Sequence, residues 1–329
     1  GDGGGGPDLA GAATTGQSQL MGQELVIGQA LAGGGVGRGA DALIGGTGFD
    51  TADYGESEAA VSVDLATGVG LGGAAQGDTL STVEALRGSK LSDTLRGDTA
   101  ANTVWGDSGD DLIVTAAGND TLHGDEGDDN LQAGDGNDEL TGGQGSDRLD
   151  GGSGVDIAQY HNETSFVVVD LTTAANNAGA AKGDVLVAIE DVTGTIEGDT
   201  IRGDAAANTF YGLGGNDRLE GLAGSDQLTG EAGNDSLYGG DGDDFLLGGT
   251  GADRLDGGAG NDQVEYSTAT AAVTVDLTTP SNNTGEAAGD VYIGIERFVA
   301  SNFSDILRGS TGADIFIGLA GNDRLEGLA

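Results

Sequence analysis

The chain has no cysteine, two prolines in 329 residues and only 4% aromatics. Without thiols there is no disulfide, zinc ribbon or iron–sulfur site to hold the fold. High glycine with so little proline, and without a three-residue period, excludes collagen. Cations are scarce as well: 12 Lys and Arg stand against 55 Asp and Glu, for a net charge of -43. Such a surface repels nucleic-acid phosphates and anionic membranes, so neither nucleic acid nor membrane insertion is expected. No apolar run approaches the ~20 residues of a spanning helix, and no basic-then-apolar leader opens these residues. The two histidines, His123 and His161, have no ligand spacing near them, and His123 is expected to be an exposed strand-edge residue. A G-x-S-x-G elbow, a phosphate loop and a Cys/His pair are all missing. Nor is a glycosidase pair indicated, since a catalytic carboxylate has no reason to recur every nine residues. The chain is therefore expected not to be an enzyme.

Glycine is abundant, at 67 residues, and it is ordered by a period. From Gly214 the chain reads GGNDRLEGL, AGSDQLTGE, AGNDSLYGG, DGDDFLLGG, TGADRLDGG, AGNDQVEYS. Aspartate takes the fourth place of each nonapeptide (Asp217, Asp226, Asp235, Asp244, Asp253, Asp262), and an apolar residue the sixth (Leu219, Leu228, Leu237, Leu246, Leu255, Val264). Neither a helix nor an ordinary strand has this period. It fits a solenoid in which each unit turns once and lays down one short strand, with glycine supplying positive φ in the turns.

A longer period lies above the short one. Asp50, Asp156 and Asp262 are 106 residues apart, as are Tyr54, Tyr160 and Tyr266, and Glu84, Glu190 and Glu296. The resulting division is a Gly/Ala-rich linker or weak β segment at 1–40, the end of a repeat unit plus a β spacer at 41–83, and a repeat block at 84–160. A spacer at 161–189, a second block at 190–266, a spacer at 267–295 and the start of a third block at 296–329 follow. Val61–Leu65 and its two copies alternate with period two, as a strand with one buried face does. Glu84, Glu190 and Glu296 keep the nonapeptide phase, so the solenoid is expected to run through the spacers. The last residues copy NDRLEGLA from Asn216 without a polar cap, the expected appearance of a fragment of a longer array.

AGNDSLYGG, EGDDNLQAG and DGNDELTGG resemble the nonapeptide G-G-x-G-x-D-x-U-x of the RTX ("repeats in toxin") proteins of Gram-negative bacteria. That resemblance implies an all-β fold, a right-handed parallel β-roll or β-solenoid with two nonapeptides per coil and calcium between the turns at both edges. It also implies export by type I machinery and a secreted or cell-surface location. Each ion would take one oxygen from the Asp of repeat n, one from repeat n+2, and carbonyls of the turns.

The implied metal ligands are Asp93, Asp111, Asp120, Asp129, Asp138, Asp147 and Asp156 in the first block. Asp199, Asp217, Asp226, Asp235, Asp244, Asp253 and Asp262 follow in the second, and Asp305 and Asp323 in the third. The implied carbonyls lie near Gly109, Gly118, Gly127, Gly136, Gly145, Gly215, Gly224, Gly233, Gly242, Gly251 and Gly260. Asn102 and Asn208 stand where Asp is expected and make weaker sites. Stacked carboxylates about 4.8 Å apart repel one another. Carboxylates and carbonyls suit calcium better than magnesium, zinc or copper.

The function expected is a calcium-binding structural module of a large secreted or cell-surface protein (adhesin, surface layer, filament or matrix component) that folds on export into high calcium. Two alternatives stay open: the accessory or secretion region of an exported enzyme such as a serralysin-like protease or an alginate epimerase, and a glycan-binding module. The partners expected are calcium and, besides it, other copies of the chain or cell-surface glycans. Trp105 and Tyr211, which follow the core residue in their repeats, are expected on the solvent face.

Overall fold

The computed structural model describes Glu24–Val26 and residues 36–327. Most of the 1–40 linker reading lies outside the described residues. The chain forms a parallel β-roll with two faces. One face is a single 13-stranded sheet running from Thr51–Asp53 to Ile315–Ile317 across all three spacers. The other is divided into sheets of ten, seven and three strands.

Nonapeptides alternate between the faces, so each strand pairs in parallel with the strand 18 residues on. Leu122 lies opposite Leu140 on the continuous face, and Leu131 opposite Leu149 on the divided one. The strands need only a few residues because alternation sends one apolar side chain inward per nonapeptide. Leu122, Leu131, Leu140 and Leu149 are each fully buried, as are Leu219, Leu228, Leu237, Leu246 and Leu255. The core is a pair of stacked apolar files.

At a spacer the period opens. Ala158 pairs with Val192 on the continuous face, a step of 34 residues matched by the Asp156–Glu190 contact. The divided face receives two strands from the same excursion. Val185–Val187 closes the old sheet on Arg148–Asp150, and Val167–Asp170 opens the next on Thr200–Arg202. The second and third spacers are thus each one long coil with an extra strand that cuts this face, whereas in the first spacer Val69–Leu71 bridges Ser62–Asp64 and Thr79–Ser81 and the ten-stranded sheet runs on.

The turns depend on glycine at close approaches. Gly242 has φ +148°, and a Cβ there would lie 1.5 Å from the carbonyl oxygen of Gly224 in the turn below. Gly242→Ala therefore both strains the backbone, at about 1–3 kcal/mol, and pushes two turns apart. We expect it to lower the thermal midpoint of the calcium-loaded protein, whereas Ala at exposed Ser146 should leave it unchanged.

Candidate metal centre

The turn that follows each glycine pair delivers an aspartate to the edge of the roll, and there the carboxylates form ladders. Each Asp Oδ1 accepts the backbone N–H of the residue 18 earlier. Along one edge Asp111 accepts from Asp93 at 2.6 Å, Asp129 from Asp111 at 2.7 Å and Asp147 from Asp129 at 2.9 Å. Along the other, Asp120 accepts from Asn102, Asp138 from Asp120 and Asp156 from Asp138, at 2.7–2.8 Å. The second block repeats both ladders, through Asp217, Asp235 and Asp253 and through Asp226, Asp244 and Asp262.

The second oxygen of these carboxylates has no such partner. Oδ2 of Asp111, Asp120, Asp129, Asp138, Asp147, Asp156, Asp217, Asp226, Asp235, Asp244, Asp253 and Asp262 is buried without a hydrogen-bond donor. A buried carboxylate oxygen left this way is costly. Burial, followed by charge from neighbouring carboxylates, pushes the carboxyl of Asp111 up to about 8 and those of Asp147, Asp217 and Asp253 to about 7. Asp129, Asp156, Asp226 and Asp262 are raised to about 6, again first by burial. A cation is the missing partner.

The space beside these oxygens also holds backbone carbonyls. A Cβ on Gly106 would lie 2.3 Å from Asp111 Oδ2 and 2.7 Å from the Gly124 carbonyl oxygen. One on Gly239 would lie 2.1 Å from Asp244 Oδ2 and 2.6 Å from the Gly257 carbonyl. Glycine at these places keeps the cradle open. The carbonyls of Gly124, Gly142, Gly239, Gly248 and Gly257 thus join the candidate ligands; their signal in the sequence is the glycine that stands four places after most of the Asp residues. Among the described residues no group of three His, Cys, Asp or Glu side chains is placed to hold a metal ion. Ligation falls instead to one carboxylate oxygen per turn with carbonyls around it, a donor set that suits calcium. Calcium held there supplies the positive charge that both the orphan oxygens and the carbonyls lack.

A family model for the RTX calcium-binding nonapeptide repeat (4 copies) matches residues 87–122, 123–158, 193–228, 229–264 and 296–329. The chain belongs to the RTX family. No curated protein matches it. As an RTX protein it is a calcium-binding repeat protein, of a kind typical of secreted bacterial proteins. No helix among the described residues is long and apolar enough to cross a membrane.

The remaining expected ligands differ from the twelve. Both oxygens of Asp93 are engaged: Oδ1 accepts from Val61 N–H at 2.6 Å and the Ser89 hydroxyl at 3.0 Å, and Oδ2 from Ser89 N–H at 2.5 Å. Asp199 is held likewise by Val167 and Thr195, and Asp305 by Val273 and Ser301. Asn102 and Asn208 accept from Asp98 and Asp204 and donate to the carbonyls of Glu84 and Glu190. Asp323 is half-buried and accepts from Asp305 N–H at 3.1 Å. The turn glycines Gly109, Gly118, Gly127 and Gly136 present their carbonyls to the glycine 18 residues on, as do Gly215, Gly224, Gly233 and Gly242.

His123 is a correction. It lies within the strand Thr121–Glu126, half-buried, with its ring stacked on Trp105 at 5.8 Å and 5°. Burial in this stack holds its imidazole below the usual range.

Proposed function

We propose that this RTX chain is a structural solenoid of a large secreted or cell-surface protein, an adhesin, surface-layer, filament or matrix component, whose folding is switched by calcium. The observation that carries this reading is the two rows of buried, donorless carboxylate oxygens in each block. In a compartment poor in calcium the rows repel and the chain stays open for export. At millimolar calcium they close, and folding outside opposes return through the secretion channel. The 106-residue superrepeat suits a stalk or filament, which needs length built from like segments. The role is mechanical and not catalytic.

The test is location in the producing cells. Antibody to the chain should label intact cells or collect from the medium, and a calcium chelator should expose or release it. A protein confined to the cytosol would overturn the proposal. Recovery of a longer form with a protease or epimerase domain would favour the accessory-region role instead.

A further inference from the structure

In the ordinary nonapeptides the fourth residue after the Asp is small, mostly glycine, as Gly142 after Asp138 and Gly151 after Asp147, with Thr115 after Asp111 and Ala133 after Asp129. A Cβ on Gly142 would lie 2.4 Å from Asp147 Oδ2, so at most a small side chain that shifts the turn fits this place and a large one does not. Tyr160 occupies this place after Asp156, and Tyr54 and Tyr266 occupy it in the other units. It is admitted because the chain then leaves the nonapeptide path and has Ser165 where the next Asp would fall. Its ring turns into the core, where only 2% of the residue is exposed.

The hydroxyl of Tyr160 donates to Oδ2 of Asp184 at 2.9 Å, while Asp184 Oδ1 accepts from Asp147 N–H at 3.0 Å. Asp184 is therefore the next rung after Asp111, Asp129 and Asp147, but its second oxygen is already bonded. The same arrangement recurs at Tyr266, Asp290 and Asp253, with distances of 2.5 and 2.9 Å. It recurs again at Tyr54, Asp78 and Asp41, at 3.2 and 2.8 Å. The opposite end of this row is closed by Asp93 in one block and Asp199 in the other, whose oxygens are engaged by Ser89 or Thr195 and the spacer strand. Between these closed ends lie three donorless oxygens: Asp111, Asp129 and Asp147 in one block, and Asp217, Asp235 and Asp253 in the other.

We propose that the spacers meter the calcium rows: the tyrosine hydroxyl stands against the last carboxylate where a cation otherwise would, so Asp184 and Asp290 are structural and bind no ion. This rests on the calcium reading above. The consequence is a solenoid of ion-bound blocks separated by coils that hydrogen bonds within the protein hold closed. In the row that ends at Asp184 or Asp290, length is set by a buried phenol.

Tyr160→Phe keeps the ring and removes only the donor, leaving Asp184 like the rungs before it; beside Asp290 the Tyr292 hydroxyl stands 2.5 Å from that of Tyr266, so there Tyr266→Phe is combined with Tyr292→Phe. Native mass spectrometry of the calcium-saturated full chain counts the ions. We expect one additional ion for Tyr160→Phe, one for Tyr266→Phe with Tyr292→Phe, and two when all three are combined. An unchanged count in folded Phe variants would overturn the metering role. If those variants do not fold, Asp184→Asn decides: it should leave the count unchanged, whereas Asp147→Asn should lose an ion, and a loss with Asp184→Asn overturns the proposal. A parent chain that binds no calcium would refute the calcium reading itself, an outcome separate from the others.

Discussion

In excess chelator at pH 8, the chain is expected to lose most of its far-ultraviolet β-sheet signal and to regain it cooperatively as millimolar calcium is restored. Twelve buried carboxylate oxygens in the two full blocks have no donor. A buried polar group without a partner costs about 1–3 kcal/mol, and more when charged. A domain's whole stability is about 5–15 kcal/mol. The apolar files cannot offset such a load, because each nonapeptide contributes a single core side chain. Binding to the folded state alone would stabilise it by mass action, so the calcium midpoint should fall as the free-energy gap narrows. Circular dichroism during calcium titration of the stripped protein checks this, with magnesium as the control. A complete β signal in chelator would sink the switch.

Protons should do part of calcium's work. The folded-state carboxyls of Asp111, Asp147, Asp217 and Asp253 are raised to about 7–8, and those of Asp129, Asp156, Asp226 and Asp262 to about 6, chiefly by burial. An unfolded Asp titrates near 3.9. Between these values the folded chain holds more protons than the unfolded one, so stability of the calcium-free protein falls as pH rises from about 4 to 8. In chelator, β structure is expected to be largest near pH 4 and mostly lost by pH 8. The calcium-loaded protein should respond in the opposite sense, since protons compete for the same oxygens and calcium affinity drops on acidification. Chelator-treated samples melted across this range would show the trend, and a midpoint that climbed with pH would contradict it.

These expectations draw unequally on what was legible in the chain. The nonapeptide aligns Leu with Leu at any multiple of nine, and the resemblance to the RTX repeat implied two nonapeptides per coil, the 18-residue pairing that the structure has. Hence a solenoid with one apolar side chain per repeat could be read from the period, and the roll with its two files and Asp at each edge from the resemblance. The split within each carboxylate could not. Oδ1 is taken by the backbone of the coil below and Oδ2 is left bare, a distinction that depends on how one turn sits over another. His123 went the same way, as its burial comes from Trp105 one coil away.

The spacers mark the boundary between the two kinds of information. Their 106-residue recurrence and the phase of Glu84, Glu190 and Glu296 were open to inspection. That one excursion would lay two strands on the same face, and bring Tyr160 to Asp184 24 residues on, was decided only by closure of the long coil. The rows of Asp belong to the sequence by itself, since a period determines which residues stack. Where the rows stop belongs to the tertiary structure, because a hydrogen bond between opposite sides of a coil exists only once the coil has closed.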